Sequence, residues 1–200
     1  MEADLVLLHA ARRMDKDALV AIFDLYATPL YKYVMRLCGD QLLSDHIVGD
    51  VFAKLLEQLA AGNGPETNLR SYLYQMAHHQ MMDESRYAQR REPLEALYSS
   101  FPDARAGGQE VENKILFEKL LAALQHDLTA DQRHVIILRF LEGFSLRETA
   151  AILGKEANHV KVIQNRGIAK LRQVLEPTDI RTARQPGTPP RPQSQARSAL

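Results

Sequence analysis

Tryptophan is absent from these 200 residues, cysteine occurs once, and basic and acidic side chains cancel at 25 each. The lone Cys38 excludes an intramolecular disulfide and any zinc site built from a cysteine cluster. No run of about eighteen apolar residues occurs and no charged-then-apolar leader opens the chain, so a soluble, cytoplasmic protein with no membrane attachment is expected. Strand-like alternation, internal repeats and a glycine-rich phosphate loop are also missing. An all-α chain is expected, with no catalytic group, no cofactor and no metal.

Charge is absent on average but not locally. Residues 92–113 hold one basic and five acidic side chains, whereas 114–175 hold ten and six. A basic surface on the later segment suits a nucleic-acid partner. Within it, Ser145 followed three residues later by Glu148 reads as a capping box that starts a helix. Ala150 is small where two helices cross, Gly154 suits a left-handed helix end, and Val160 continues the apolar spacing on a second helix. Ser145 to Arg166 therefore reads as a helix-turn-helix, the unit that lays one helix in the DNA major groove. An ordinary helical hairpin in an unrelated bundle shares these local signals.

Upstream, apolar residues from Leu5 to Leu37 recur at helical spacing, with Thr28-Pro29 read as a break and restart and Gly39-Asp40 as an end. Ser44 to Ala60 is a further helix, and AAGNGPETN a loop whose Asn68 is placed to cap the next one. That next helix, 69–91, interleaves Tyr72, Tyr74 and Tyr87 with Arg70, His78, His79, Arg86, Arg90 and Arg91, a mixture able to hold phosphates and stack on unpaired bases. The same residues would also serve as a basic C-terminal end favouring the helix dipole. Residues 92–113, acidic and rich in proline and glycine, read as a flexible linker. Thr129 with Gln132 forms a second capping box, and 176–200, rich in proline, arginine and glutamine, is too polar to order itself.

Two small helical domains joined by a flexible linker, the second a helix-turn-helix domain, resemble a bacterial RNA polymerase sigma factor of the extracytoplasmic-function (ECF) type. The most specific stretch is LTADQRHVIILRFLEGFSLRETAAILG, where Leu128, Gln132, Arg133, Leu138, Arg139, Glu142, Gly143, Ser145, Glu148 and Gly154 are among the residues matching the family pattern. IVGDVFAKL and LRSYLYQMAHHQMMD resemble the family in the first half. The resemblance implies a domain over 1–91 that binds core polymerase and melts the minus-ten promoter element, and a domain over 114–175 that reads the minus-thirty-five element. It implies polymerase contacts for Asp45, His46, Gly49, Asp50 and Phe52 on the clamp helices of the largest subunit. The flap of the second-largest subunit is the other implied polymerase partner. Minus-ten contacts fall to Asn63, Arg70, Tyr72, Tyr74, His78, His79, Asp83, Arg86 and Arg90. Major-groove contacts fall to Lys161, Val162, Asn165 and Arg166. Ile163 and Ile168 stand where the family commonly has arginine, which predicts a weaker or unusual upstream contact. An anti-sigma factor is an implied partner beside core RNA polymerase and promoter DNA.

Two other readings compete. A helix-turn-helix transcriptional regulator that does not bind polymerase would carry a ligand or phosphoacceptor domain upstream, and residues 1–91 lack its α/β pattern. An enzyme with His79 and Asp83 as metal ligands one turn apart would need further ligands that no recognisable spacing supplies. The tail arginines Arg181, Arg184, Arg191 and Arg197 offer a nucleic-acid contact or simply a solvated end.

Overall fold

A computed structural model describes residues 2–84 and 119–175, and every regular element among them is helical. The expected linker, Arg86, Arg90 and the tail from 176 lie outside the described residues. Four helices form the first half: α1 (Glu2–Ala11), α2 (Lys16–Cys38), α3 (Gln41–Ala60) and α4 (Leu69–Glu84). The second half opens with α5, 119–127, whose last turn Ala123–Asp127 is π-helical. Next come α6 (Ala130–Ile136, running on as π-helical Ile137–Leu141), α7 (Leu146–Leu153) and α8 (Ala157–Leu175).

The first helical break is not at Thr28-Pro29. Helix α2 runs unbroken through Pro29, and the chain turns earlier, at Met14, whose φ of 59° is left-handed. Asp15 then caps α2 by accepting from the Ala18 amide at 3.0 Å. An interior proline costs about 3 kcal/mol or more. Here that cost is offset by a long buried stripe, Ala18, Ile22, Tyr26, Leu30, Tyr33 and Val34, which pins both sides of the proline. Gly39 ends α2 in the left-handed region as expected (φ 67°), and Asp40 caps α3 through the Leu43 amide at 2.9 Å. Asn68 also departs from expectation: its φ of 54° is left-handed, not the extended geometry of an N-cap, and it serves as the turn residue before α4. The preceding loop is tied down from the turn after α1, where Arg12 donates to the carbonyls of Gly64 (2.9 Å) and Pro65 (3.0 Å).

The two halves share a core. Leu73, Tyr74 and Ala77 of α4 belong to the same buried apolar cluster as Val135, Leu138, Phe144, Ile152 and Val160. A smaller cluster, Leu121, Leu124, Leu128 and Ile136, seals α5 against α6, with Ile168 and Leu171 of α8 packed on it.

Candidate nucleic-acid interface

The helix-turn-helix is built as its capping residues require. The Glu148 amide donates to Ser145 Oγ at 3.2 Å and the Ser145 amide to the Glu148 carboxylate at 2.7 Å. Those bonds hold the Glu148 carboxyl below the usual carboxylate range. Gly154 ends α7 at φ 61°, with the Lys155 amide returning to the Ala150 carbonyl at 2.9 Å. This turn aims α8 so that Val160, Ile163 and Gly167 face inward. A Cβ on Gly167 would lie 3.2 Å from Ile136 Cγ1, so the glycine is what lets α8 close on α6. Nothing in the periodicity singled it out.

The opposite side of α8 carries Lys161, Val162, Asn165 and Arg166, all exposed. Side chains one and four residues apart thus present a two-turn polar and basic face to solvent. Ile163 is buried and Ile168 packs on the second cluster. The two missing arginines therefore change the inner side of the helix and not its exposed face, which removes the ground for expecting a weaker upstream contact.

Helix α4 is placed differently. Arg70, Tyr74 and His78, four residues apart, share one face, and that face meets the second half of the chain. Tyr74 is fully buried and its hydroxyl donates to Glu142 Oε2 at 2.6 Å. Burial and the Glu142 charge push this phenol well above its ordinary range. Arg70 donates to the Glu142 carbonyl oxygen and lies 4.1 Å over the Phe144 ring, a cation–π contact. His78 Nδ1 is 3.3 Å from His134 Nδ1. Asn63, His79 and Asp83 are exposed, while Tyr72 is half-buried against the shared core.

On α3, Asp45, His46 and Gly49 are exposed. Asp50 is half-buried, 3.6 Å from His46 Nε2 and accepting from Gln80 at 2.9 Å. Phe52 turns inward, its ring 4.8 Å from that of Phe23. Among the described residues no group of three or more His, Cys, Asp or Glu side chains is placed to hold a metal, and no helix is long and apolar enough to cross a membrane.

Glu142 stands in the sequence only as one residue of a family pattern, and no motif marks Arg36 or His134. Arg36 Nη1 and Glu142 Oε1 form a 2.5 Å ion pair whose side chains are 5% and 7% exposed. The available signal was an acid and a histidine inside the apolar run HVIILRFLEG, because a buried charge demands a partner.

An exposed polar helix behind a capped tight turn defines a helix-turn-helix DNA-binding protein, here packed on a four-helix unit. Residues 22–91 match the family model described as Sigma-70 region 2, and residues 125–173 match Sigma-70, region 4. The chain is 25% identical to the ECF RNA polymerase sigma factor BldN of Streptomyces coelicolor over 178 residues, spanning 88% of this chain and 66% of BldN. It is 28% identical to the ECF RNA polymerase sigma factor SigX of Bacillus subtilis over 168 residues, 78% of this chain and 82% of SigX. A similar fold occurs in the sigma factor RpoE of Bartonella quintana, solved with the anti-sigma factor NepR (TM-score 0.58, 20% identity, 76% of this chain and 92% of that one). The chain belongs to the sigma-70 family of RNA polymerase sigma factors, and within it to the ECF type. Sigma factors bind core RNA polymerase and promoter DNA. A regulator that does not bind polymerase is not favoured.

Proposed function

We propose that residues 1–91 dock on core polymerase and open the minus-ten element, and that 114–175 read the minus-thirty-five duplex. Residues 92–113 join them, and 176–200 form a tail. The observation that carries this reading is the exposed face of α8, where Lys161, Val162, Asn165 and Arg166 stand together opposite the packed side of the helix. Lys161 and Arg166 supply phosphate contacts, Asn165 offers an amide to base edges, and Val162 an apolar contact to a thymine methyl.

In the first half, Asp45, His46 and Gly49 form the accessible part of the polymerase contact, and Phe52 supports it from beneath. Exposed Asn63, His79 and Asp83 are available to unpaired DNA without rearrangement. Tyr74 and His78 become available only when the two halves separate, and Arg70, whose side chain is 41% exposed, is freed then from Glu142 and Phe144. Flipping a base costs a few kcal/mol of stacking, which a basic surface and an aromatic pocket offset. The chain acts in the cytoplasm on polymerase, performs no catalysis itself and uses no cofactor. An anti-sigma factor is a further partner, as for Bartonella quintana RpoE.

Transcription in vitro with core polymerase, the full chain and a library of genomic fragments tests the proposal. Discrete transcripts that depend on the chain are expected. Their absence, with no detectable binding to core polymerase, would sink it.

A further inference from the structure

Glu142 belongs to the second half, yet the side chains that grip it come from the first. Arg36 of α2 pairs with it at 2.5 Å, the Tyr74 hydroxyl of α4 donates to it at 2.6 Å, and the Arg70 guanidinium lies 4.0 Å away. One helical turn beyond Tyr74, the rings of His78 and His134 meet edge to face with centroids 4.8 Å apart, and Tyr33 Oη lies 3.4 Å from His134 Nδ1. A seam of largely buried polar groups that pair across two halves can take two arrangements. Closed, every group needs its partner; parted, water solvates each one.

We propose that this seam is an intramolecular latch, pinned by Glu142 and released by protonation of the His78–His134 pair. With Nδ1 atoms 3.3 Å apart, one imidazole presents a lone pair and the other an N–H, an arrangement that two neutral rings satisfy. A proton on each turns two N–H groups on one another in a site where the residues are 8% and 6% exposed. The groups facing the pair are Tyr33 from α2, His79 from α4, Asp131 and Arg133 from α6, and Lys155 after α7. Cations outnumber the one anion, and Asp131 is itself engaged by Lys155 at 3.1 Å. Among the described residues, no anion besides Asp131 faces the pair to compensate an added positive charge.

Burial lowers His78 to about 4 and His134 to about 3 in the closed form, while parted imidazoles titrate near 6.5. The closed form is therefore at full strength above about pH 6.5 and is lost as pH falls from there toward the lowered values. Between pH 7.5 and 5.5 each histidine shifts the open-to-closed ratio about tenfold, and the pair about a hundredfold. The consequence for DNA rests on the function proposed above: the latch buries Tyr74 and His78 and engages Arg70.

The test uses the full chain with Cys38→Ala and spin labels on cysteines replacing the exposed Ala53 of α3 and Ala169 of α8. Pulsed electron resonance then reads the separation of the halves. A single short distance is expected at pH 7.5. Glu142→Gln brings a longer distance into the measurable range. In that background the long-to-short ratio rises about a hundredfold by pH 5.5, and only about tenfold once His78→Phe is added. If Glu142→Gln loses helical circular dichroism, Tyr74→Phe, which removes one bond to Glu142, takes its place. An unchanged short distance in both variants, or an acid response that His78→Phe leaves undiminished, overturns the latch. Binding of random-sequence single-stranded DNA is followed in parallel. Tighter binding on opening supports masking of α4; opening without it leaves the latch intact and overturns the DNA-facing reading of α4.

Discussion

Helices α4 and α8 carry the same kinds of side chain toward the same expected partner, and the fold treats them in opposite ways. On α8 the polar and basic residues Lys161, Asn165 and Arg166 are in solvent, and the apolar ones are in the core. On α4 the basic and aromatic residues Arg70, Tyr74 and His78 are packed against Glu142, Phe144 and His134 of the other half. The difference lies in what opposes each helix. The outward side of α8 meets nothing among the described residues, whereas α4 meets a surface with a buried anion, an aromatic ring and an imidazole able to satisfy each of its polar groups. A basic-aromatic face thus serves either as a nucleic-acid surface or as half of a polar interface, and composition does not separate the two.

That contrast makes graded predictions. The largest effect belongs to α4: Tyr74→Ala removes a fully buried ring that touches Tyr33 and Phe144 at centroid distances of 4.9 and 4.8 Å. A loss of about 3–5 kcal/mol of stability is expected in urea denaturation, part of it from the Glu142 oxygen left short of a donor. A midpoint within error of the parent would mean that this face is not core. Next is the inner side of α8, where Gly167→Val places branched atoms against Ile136. It should cost about 1–3 kcal/mol in the same measurement and leave α4 untouched.

Smaller again is the cap that aims α8. Ser145→Ala removes the acceptor of the Glu148 amide, and about 1 kcal/mol of stability should go with it. The lowered Glu148 carboxyl stabilises the fold above its ordinary range near 4.5, and that contribution is lost as pH falls through its folded value. Acid titrations of stability should therefore differ least between Ser145→Ala and the parent below that range. A parallel pH dependence of the two would contradict the capping box as the cause. The smallest stability effect is on the exposed face of α8: Lys161→Ala and Arg166→Ala should leave denaturation within about 0.5 kcal/mol of the parent. Each should instead weaken binding to upstream duplex DNA and reduce the salt slope by about one. Unchanged slopes with lowered stability would reverse the contrast between the two helices.

Local chemistry made much of this legible. Asp40, Ser145 and Thr129 side chains bond their own helix amides within three residues, and Gly39 and Gly154 take the left-handed turns that end helices. Such signals are readable because the partners are neighbours in sequence. The same locality explains the misreadings. Proline was read as a break because its local cost is real, but the stripe from Ala18 to Val34 outweighs it through contacts with other helices. Met14 gave no sign of the true break, since a left-handed methionine is a choice made by its surroundings. Asn68 stands before α4 as expected of a cap, but in a left-handed turn geometry and not the extended one of an N-cap.

By itself, then, the amino-acid order determined the helices, their caps and the helix-turn-helix, because spacing at three and four residues and reciprocal capping bonds act within one turn. It also carried enough of a family's pattern to indicate promoter recognition. Only the tertiary structure decided which way α4 faces. The partners of Arg36, Tyr74 and His78 lie 106, 68 and 56 residues away along the chain, and no periodicity within a helix encodes what a distant surface will offer it.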